Sequence, residues 1–137
     1  MNRDELMAII PHRDHMFLVD EAEIRDGKAC GKYRIKGDEF FLRGHFPGHP
    51  VVPGVILCEM MAQATSILLK DRCTASTLPF LTGLDKVRFR HPVVPGDIFE
   101  SECTIKGSKG PFYFATGTGY VSGRICVTAD FSFAIVK

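Results

Sequence analysis

Gly54-Val55-Ile56-Leu57-Cys58-Glu59-Met60-Met61-Ala62-Gln63-Ala64-Thr65-Ser66-Ile67-Leu68-Leu69-Lys70 is the stretch on which the fold turns. Pro53 stands at or near its first position, where a missing N–H costs a helix nothing, so the spacing predicts one helix from Gly54 to about Lys70. Its apolar residues, from Val55 and Ile56 through Met60, Met61 and Ala64 to Leu69, cover most of the circumference. A helix of that kind is buried by its surroundings rather than laid on a surface. Glu59, Gln63, Ser66 and Lys70 follow one another at helical spacing on one side. Such a stripe is either a solvent face or the lining of a cavity or subunit seam. Cys58, Met61 and Ala62 leave it narrow, which favours the lining.

Strands surround this helix in the sequence. Downstream, Phe80–Arg90, Ile98–Ile105, Phe112–Val121 and Arg124–Val136 are separated by Pro95-Gly96, Lys109-Gly110 and Ser122-Gly123. In the last of them Ile125, Val127, Ala129, Phe131, Phe133 and Ile135 alternate with Cys126, Thr128, Asp130 and Ser132. Upstream, Asp4–Ile10 is expected as a short helix stopped by Pro11, followed by a strand over Met16–Ile24 and a turn at Asp26-Gly27. Ala29, Gly31, Tyr33 and Ile35 then alternate with Cys30, Lys32, Arg34 and Lys36, and Glu39–Arg43 makes a helical turn. Helix, strands, long helix and a run of strands predict an α+β fold, an antiparallel sheet packed around one central helix. The hexapeptide His-Pro-Val-Val-Pro-Gly occurs at His49–Gly54 and again at His91–Gly96. The first copy opens a helix and the second a strand, so these are two proline-rich turns rather than a duplicated unit, and His91 is not a second base.

The chain of 137 residues is one domain's worth, long enough for a core. A formal net charge of +1, with no Lys/Arg block, argues against a nucleic-acid partner. Met1-Asn2-Arg3-Asp4-Glu5-Leu6-Met7 carries acids where a signal peptide needs a basic start and an apolar run. No stretch approaches the roughly 18 apolar residues of a membrane span, and the expectation is a cytoplasmic protein. Cys30, Cys58, Cys73, Cys103 and Cys126 are scattered, form no C-x-x-C pair, and indicate neither a zinc knuckle nor a disulfide framework. Cys58 beside Glu59 is read as buried and structural rather than as a nucleophile.

The loop before the helix carries the chemistry. Gly44-His45-Phe46-Pro47-Gly48-His49-Pro50-Val51-Val52-Pro53-Gly54 places His45 among three prolines that remove loop entropy and glycines that allow close backbone approach. Rigid support for one imidazole is what a general base needs, and Glu59 follows on a mostly apolar helix. A metal at His45 and His49 is the weaker reading, since no third ligand is evident and proline breaks the segment.

These residues resemble a known family. Gly44-His45-Phe46-Pro47-Gly48-x-Pro50-x-x-Pro53-Gly54-Val55, with Glu59 and Met61-Ala62-Gln63 downstream, is similar to the 3-hydroxyacyl-[acyl-carrier-protein] dehydratases of bacterial type-II fatty acid synthesis, the FabZ type. The similarity extends through Ile10-Pro11-His12-Arg13, Phe17-Leu18-Val19-Asp20 and Lys86–Asp97 and covers nearly the whole chain. It implies a hot-dog fold, a dimer or a hexamer of three dimers, and a shared active site in which His45 of one chain meets Glu59 of its neighbour. It also implies an acyl carrier protein as partner, to which a basic face of Lys86, Arg88 and Arg90 would offer a dock; the alternative for those three is a solvated edge or internal ion pairs. Glu59, where related dehydratase-isomerases carry aspartate, favours dehydration without isomerisation. The chain departs from the family at His15-Met16 and at Pro111-Phe112-Tyr113, which bears on the shape of the acyl tunnel.

The expected mechanism follows. Neutral His45 takes the C2 proton of a 3-hydroxyacyl thioester, and Glu59 delivers one to the leaving hydroxyl. Backbone N–H groups at Gly54 and Val55 polarise the thioester carbonyl, and Gln63 is expected among the substrate-binding residues. No cofactor or metal is required. Two other readings stand beside this one: a hot-dog acyl thioesterase with Glu59 activating water, and a non-catalytic acyl-binding module.

Overall fold

The computed structural model describes residues 1–74 and 76–136. Its chain order is α1 (Arg3–Met7), β1 (Glu21–Arg25), β2 (Lys28–Arg34), α2 (Gly54–Thr65), β3 (Leu78–Phe89), β4 (Ile98–Lys109), β5 (Phe112–Val121) and β6 (Arg124–Val136). The six strands form one antiparallel sheet in the order β1-β2-β4-β5-β6-β3. The sheet wraps around α2 and the 3₁₀ turn Ser66–Leu69 that continues it, which is the hot-dog fold.

α2 is buried because one face of β2, β4, β5 and β6 packs against it. Leu57, Cys58, Met60, Met61 and Ala64 meet Tyr33, Phe99, Cys103, Ala115 and Phe131 in the main core. A second cluster of Leu6, Ile10, Phe17, Val19 and Ile67 seals the end where α1 lies. The helix comes so close to β2 that a Cβ on Gly31 would stand 2.6 Å from that of Ala64. β1 and β2 turn at Asp26-Gly27, and β5 and β6 at Ser122-Gly123; in both turns the two residues have positive φ, as a two-residue hairpin requires.

Two expectations are corrected, and a third, the central helix to about Lys70, holds with a change of type in its last turn. Met16–Ile24 is not one strand: Asp14–Met16 is a 3₁₀ turn, Phe17, Leu18 and Val19 are buried outside any strand, and β1 begins at Glu21. α2 ends at Thr65, whose hydroxyl donates to the Met61 carbonyl at 2.7 Å, and the last turn before Lys70 tightens to 3₁₀. β6 spans the expected residues, but Gly119 pairs with Val127 while Tyr120 pairs with Ile125. The bulge inserts Cys126 into the strand, turning Cys126 inward and leaving Ile125 exposed.

β3 is an edge strand with few buried residues. Phe80, Leu81, Leu84 and Phe89 stay exposed along it. Its expected basic alternation is broken at Lys86, which has φ 52° and sits in a register shift between Asp85 and Arg88. Among the described residues Lys86, Arg88 and Arg90 are exposed and make no ion pair.

Candidate active site

The loop between β2 and α2 holds His45 by a reciprocal pair of hydrogen bonds. The Val51 N–H donates to the His45 carbonyl at 2.7 Å, and His45 Nδ1 lies 2.9 Å from the Val51 carbonyl. A carbonyl only accepts, so Nδ1 carries a proton, and in the neutral ring Nε2 is the nitrogen that keeps its lone pair. The ring stacks on Phe46 at 4.4 Å between centroids. His45 is half-buried, whereas His49 is exposed. Val52 anchors the loop to the second copy of the hexapeptide through its N–H to the Val93 carbonyl, 2.9 Å, with both valine side chains buried.

Pro53 occupies the N-cap of α2, and its carbonyl receives the Ile56 N–H at 2.9 Å. Gly54 and Val55 form the first turn, Val55 pointing outward at 64% exposure. A Cβ on Gly54 would lie 2.5 Å from the Phe89 ring, so glycine lets the end of β3 lie across the helix start.

Glu59 lies in the second turn of α2, half-buried beside His12, Gln63, Ser66, Pro79, Leu81 and Phe133. One of its oxygens, Oε2, accepts from Gln63 Nε2 at 2.9 Å and sits 3.2 Å from His12 Nε2. Gln63 is 2% exposed, and the rest of its amide serves the backbone: Oε1 accepts from the Leu18 N–H, and Nε2 donates to the Met16 carbonyl. The amide expected to meet substrate is engaged within the protein. Ser66 is buried as well, so only Lys70 of the four-residue stripe is fully exposed.

His45 and Glu59 thus have separate partners within one chain. The Glu59 cleft is walled by β3, through Pro79 and Leu81, and the His45 loop is not part of its lining. Residue type and spacing give His12 no role; the one signal in the sequence is the Pro11-His12-Arg13 run a few residues after α1. All five cysteines are buried; burial pushes the Cys58 thiol up, and that of Cys103 to about 12, so neither is a ready nucleophile.

The sequence pattern of the ApeI-like family, described as ApeI dehydratase, matches residues 21–126. A 3-hydroxyacyl-[acyl-carrier-protein] dehydratase FabZ of Clostridium perfringens is 40% identical over 98% of this chain and 99% of its own length. Another FabZ, from Caldicellulosiruptor saccharolyticus, is 42% identical over 95% of each. Among solved structures, the dehydratase heterocomplex ApeI:P from Xenorhabdus doucetiae superposes with a TM-score of 0.81 at 21% identity, over 96% of this chain and 91% of that one; this likeness concerns the fold. The chain belongs to the hot-dog dehydratases. Within them it is related to both the ApeI-like and the FabZ-type families.

Proposed function

We propose that this chain removes water from (3R)-hydroxyacyl-[acyl-carrier-protein] to give trans-2-enoyl-[acyl-carrier-protein] in fatty acid biosynthesis. The observation that carries the reading is the hydrogen bond from His45 Nδ1–H to the Val51 carbonyl, because it leaves Nε2 free to accept a proton. Nε2 takes the C2 proton, the C2–C3 double bond forms, and the C3–O bond breaks as Glu59 protonates the departing hydroxyl, which leaves as water. The N–H groups of Gly54 and Val55, in the first turn of α2, stabilise charge on the thioester carbonyl. The acyl chain is carried by an acyl carrier protein, whose acidic surface is met by the exposed Lys86, Arg88 and Arg90.

The working unit is a homodimer in which His45 of one chain faces Glu59 of the other. The separate surroundings of the two residues within one chain support this, as does the exposed apolar edge of β3 beside the Glu59 cleft. The deciding assay supplies 3-hydroxyacyl carrier protein and follows enoyl absorbance and free thiol together. Enoyl without thiol is the expected result; thiol release would replace the reading with a thioesterase, and binding without either product with an acyl-binding module.

A further inference from the structure

We infer that His12 and Gln63 are positioning residues that clamp Oε2 of Glu59 as an acceptor and confine the transferable proton to Oε1. The inference rests on Glu59 being the acid of the reaction proposed above, and it goes beyond that reading by specifying which oxygen acts and what aims it.

The orientation of Gln63 is fixed by two backbone groups with no freedom of role. The Leu18 N–H can only donate, so the side-chain atom 2.9 Å away is the oxygen; the Met16 carbonyl can only accept, so the atom 2.8 Å from it is the nitrogen. The second N–H of that nitrogen reaches Glu59 Oε2 at 2.9 Å, and Oε2 must therefore accept. His12 Nε2 approaches the same oxygen at 3.2 Å. Two tautomers satisfy that distance, and the other ring nitrogen chooses between them. Nδ1 of His12 is buried and has no hydrogen-bond partner among the described residues. A proton on Nδ1 would be a buried donor with nothing to receive it, whereas a bare lone pair there is the milder loss. His12 therefore carries its proton on Nε2 and donates to Oε2.

The segment bearing His12 is itself fixed. Arg13 folds its guanidinium back to donate to the carbonyls of Met7, Ile10 and His12, at 2.8, 2.6 and 2.7 Å. With both donors on Oε2, the carboxyl group cannot swivel, and the proton it gives up leaves from Oε1. The same donors are already in place when Glu59 becomes a carboxylate, so charge forms against a prearranged set of N–H groups.

The test uses the intact protein labelled with ¹⁵N-histidine, with His12→Gln identifying the His12 signals. The expected spectrum of neutral His12 shows a protonated Nε2 and a bare Nδ1, opposite to His45; a proton on Nδ1 of His12 overturns the clamp. In turnover, His12→Leu should lower kcat about 10- to 100-fold, the scale of a misaimed catalytic group, with KM nearly unchanged. His12→Gln, which presents an N–H near the same place, should restore most of it. Unchanged kcat in His12→Leu, or equal loss in both variants, also overturns the inference. Should the wild type fail to turn over 3-hydroxyacyl carrier protein at all, the proposed function falls while the tautomer still decides the clamp.

Discussion

His45 and Glu39 show how one or two hydrogen bonds set what a side chain can do. The Val51 carbonyl leaves His45 a free Nε2, and the ring contributes little to the core. His45→Ala should therefore lose about 10²–10⁴ in turnover, the usual worth of a general base, while its thermal melt stays near wild type. His49→Ala, altering an exposed ring, should keep most activity; the reverse pattern would transfer the role to His49. Glu39 is a structural counterpart. Burial opposes its charge, yet N–H donation from Lys36 and Gly37 and the Tyr33 hydroxyl at 2.8 Å together hold its carboxyl below the ordinary 4.5. On the other side, burial and then the bond to Glu39 push the Tyr33 hydroxyl up. A depressed carboxyl stabilises the fold above its unfolded value and loses that contribution as pH falls through its folded value. Glu39→Gln should destabilise the protein by about 2 kcal/mol near neutral pH. The gap in melting temperature should close in acid, below the ordinary carboxylate range, and a gap independent of pH would remove the carboxylate from the account.

At the scale of elements, the fit of α2 into the sheet is set by the approach of Ala64 to Gly31, where an added Cβ meets that of Ala64 at 2.6 Å and the Ser101 hydroxyl at 3.1 Å. Gly31→Ala should cost about 1–3 kcal/mol by overpacking, measured by urea unfolding. Adding Ala64→Gly should recover part of that loss even though glycine weakens a helix by about 1 kcal/mol; strictly additive losses would mean that the two elements slide apart instead. The sequence showed which residues make α2 and β6 because burial of nearly the whole helix and alternation along the strand are local patterns. What it could not show are features made by a distant partner. Phe17-Leu18-Val19 has the composition of a strand, but the Gln63 amide satisfies the Leu18 N–H and the Met16 carbonyl on either side of Phe17, so the segment is buried without pairing there. Ile125 and Cys126 exchange faces because of a bulge that only the register with β5 reveals. For the proposed site, what the sequence made legible was placement: His45 in a stiffened loop and Glu59 on an apolar helix. The place of His12 was not legible, since its link to Glu59 joins the segment after α1 to the second turn of α2.

At the scale of the whole molecule, a site divided between chains makes a demand that no single-chain arrangement makes. His45 is held by its own loop and Glu59 by His12 and Gln63, while β3 beside Glu59 leaves Leu81 39% and Phe80 54% exposed on an edge strand. An apolar edge of that kind is a template for pairing with another chain, and the composite site proposed above requires that such two-fold pairing set each His45 loop against the other chain's Glu59 cleft. His45→Ala and Glu59→Gln homodimers should each be inactive, for different reasons. After subunit exchange, a mixed dimer holds one site with wild-type His45 facing wild-type Glu59 and one site with both defects. Random exchange makes about half of all dimers mixed, so activity should return to roughly a quarter of wild type if the sites act independently. The measurement is enoyl formation before and after exchange, with native mass spectrometry counting the mixed species. Mixed dimers present in that proportion without any recovered activity would put both residues of each site on one chain, and would leave β3 only its place in the wall of the Glu59 cleft.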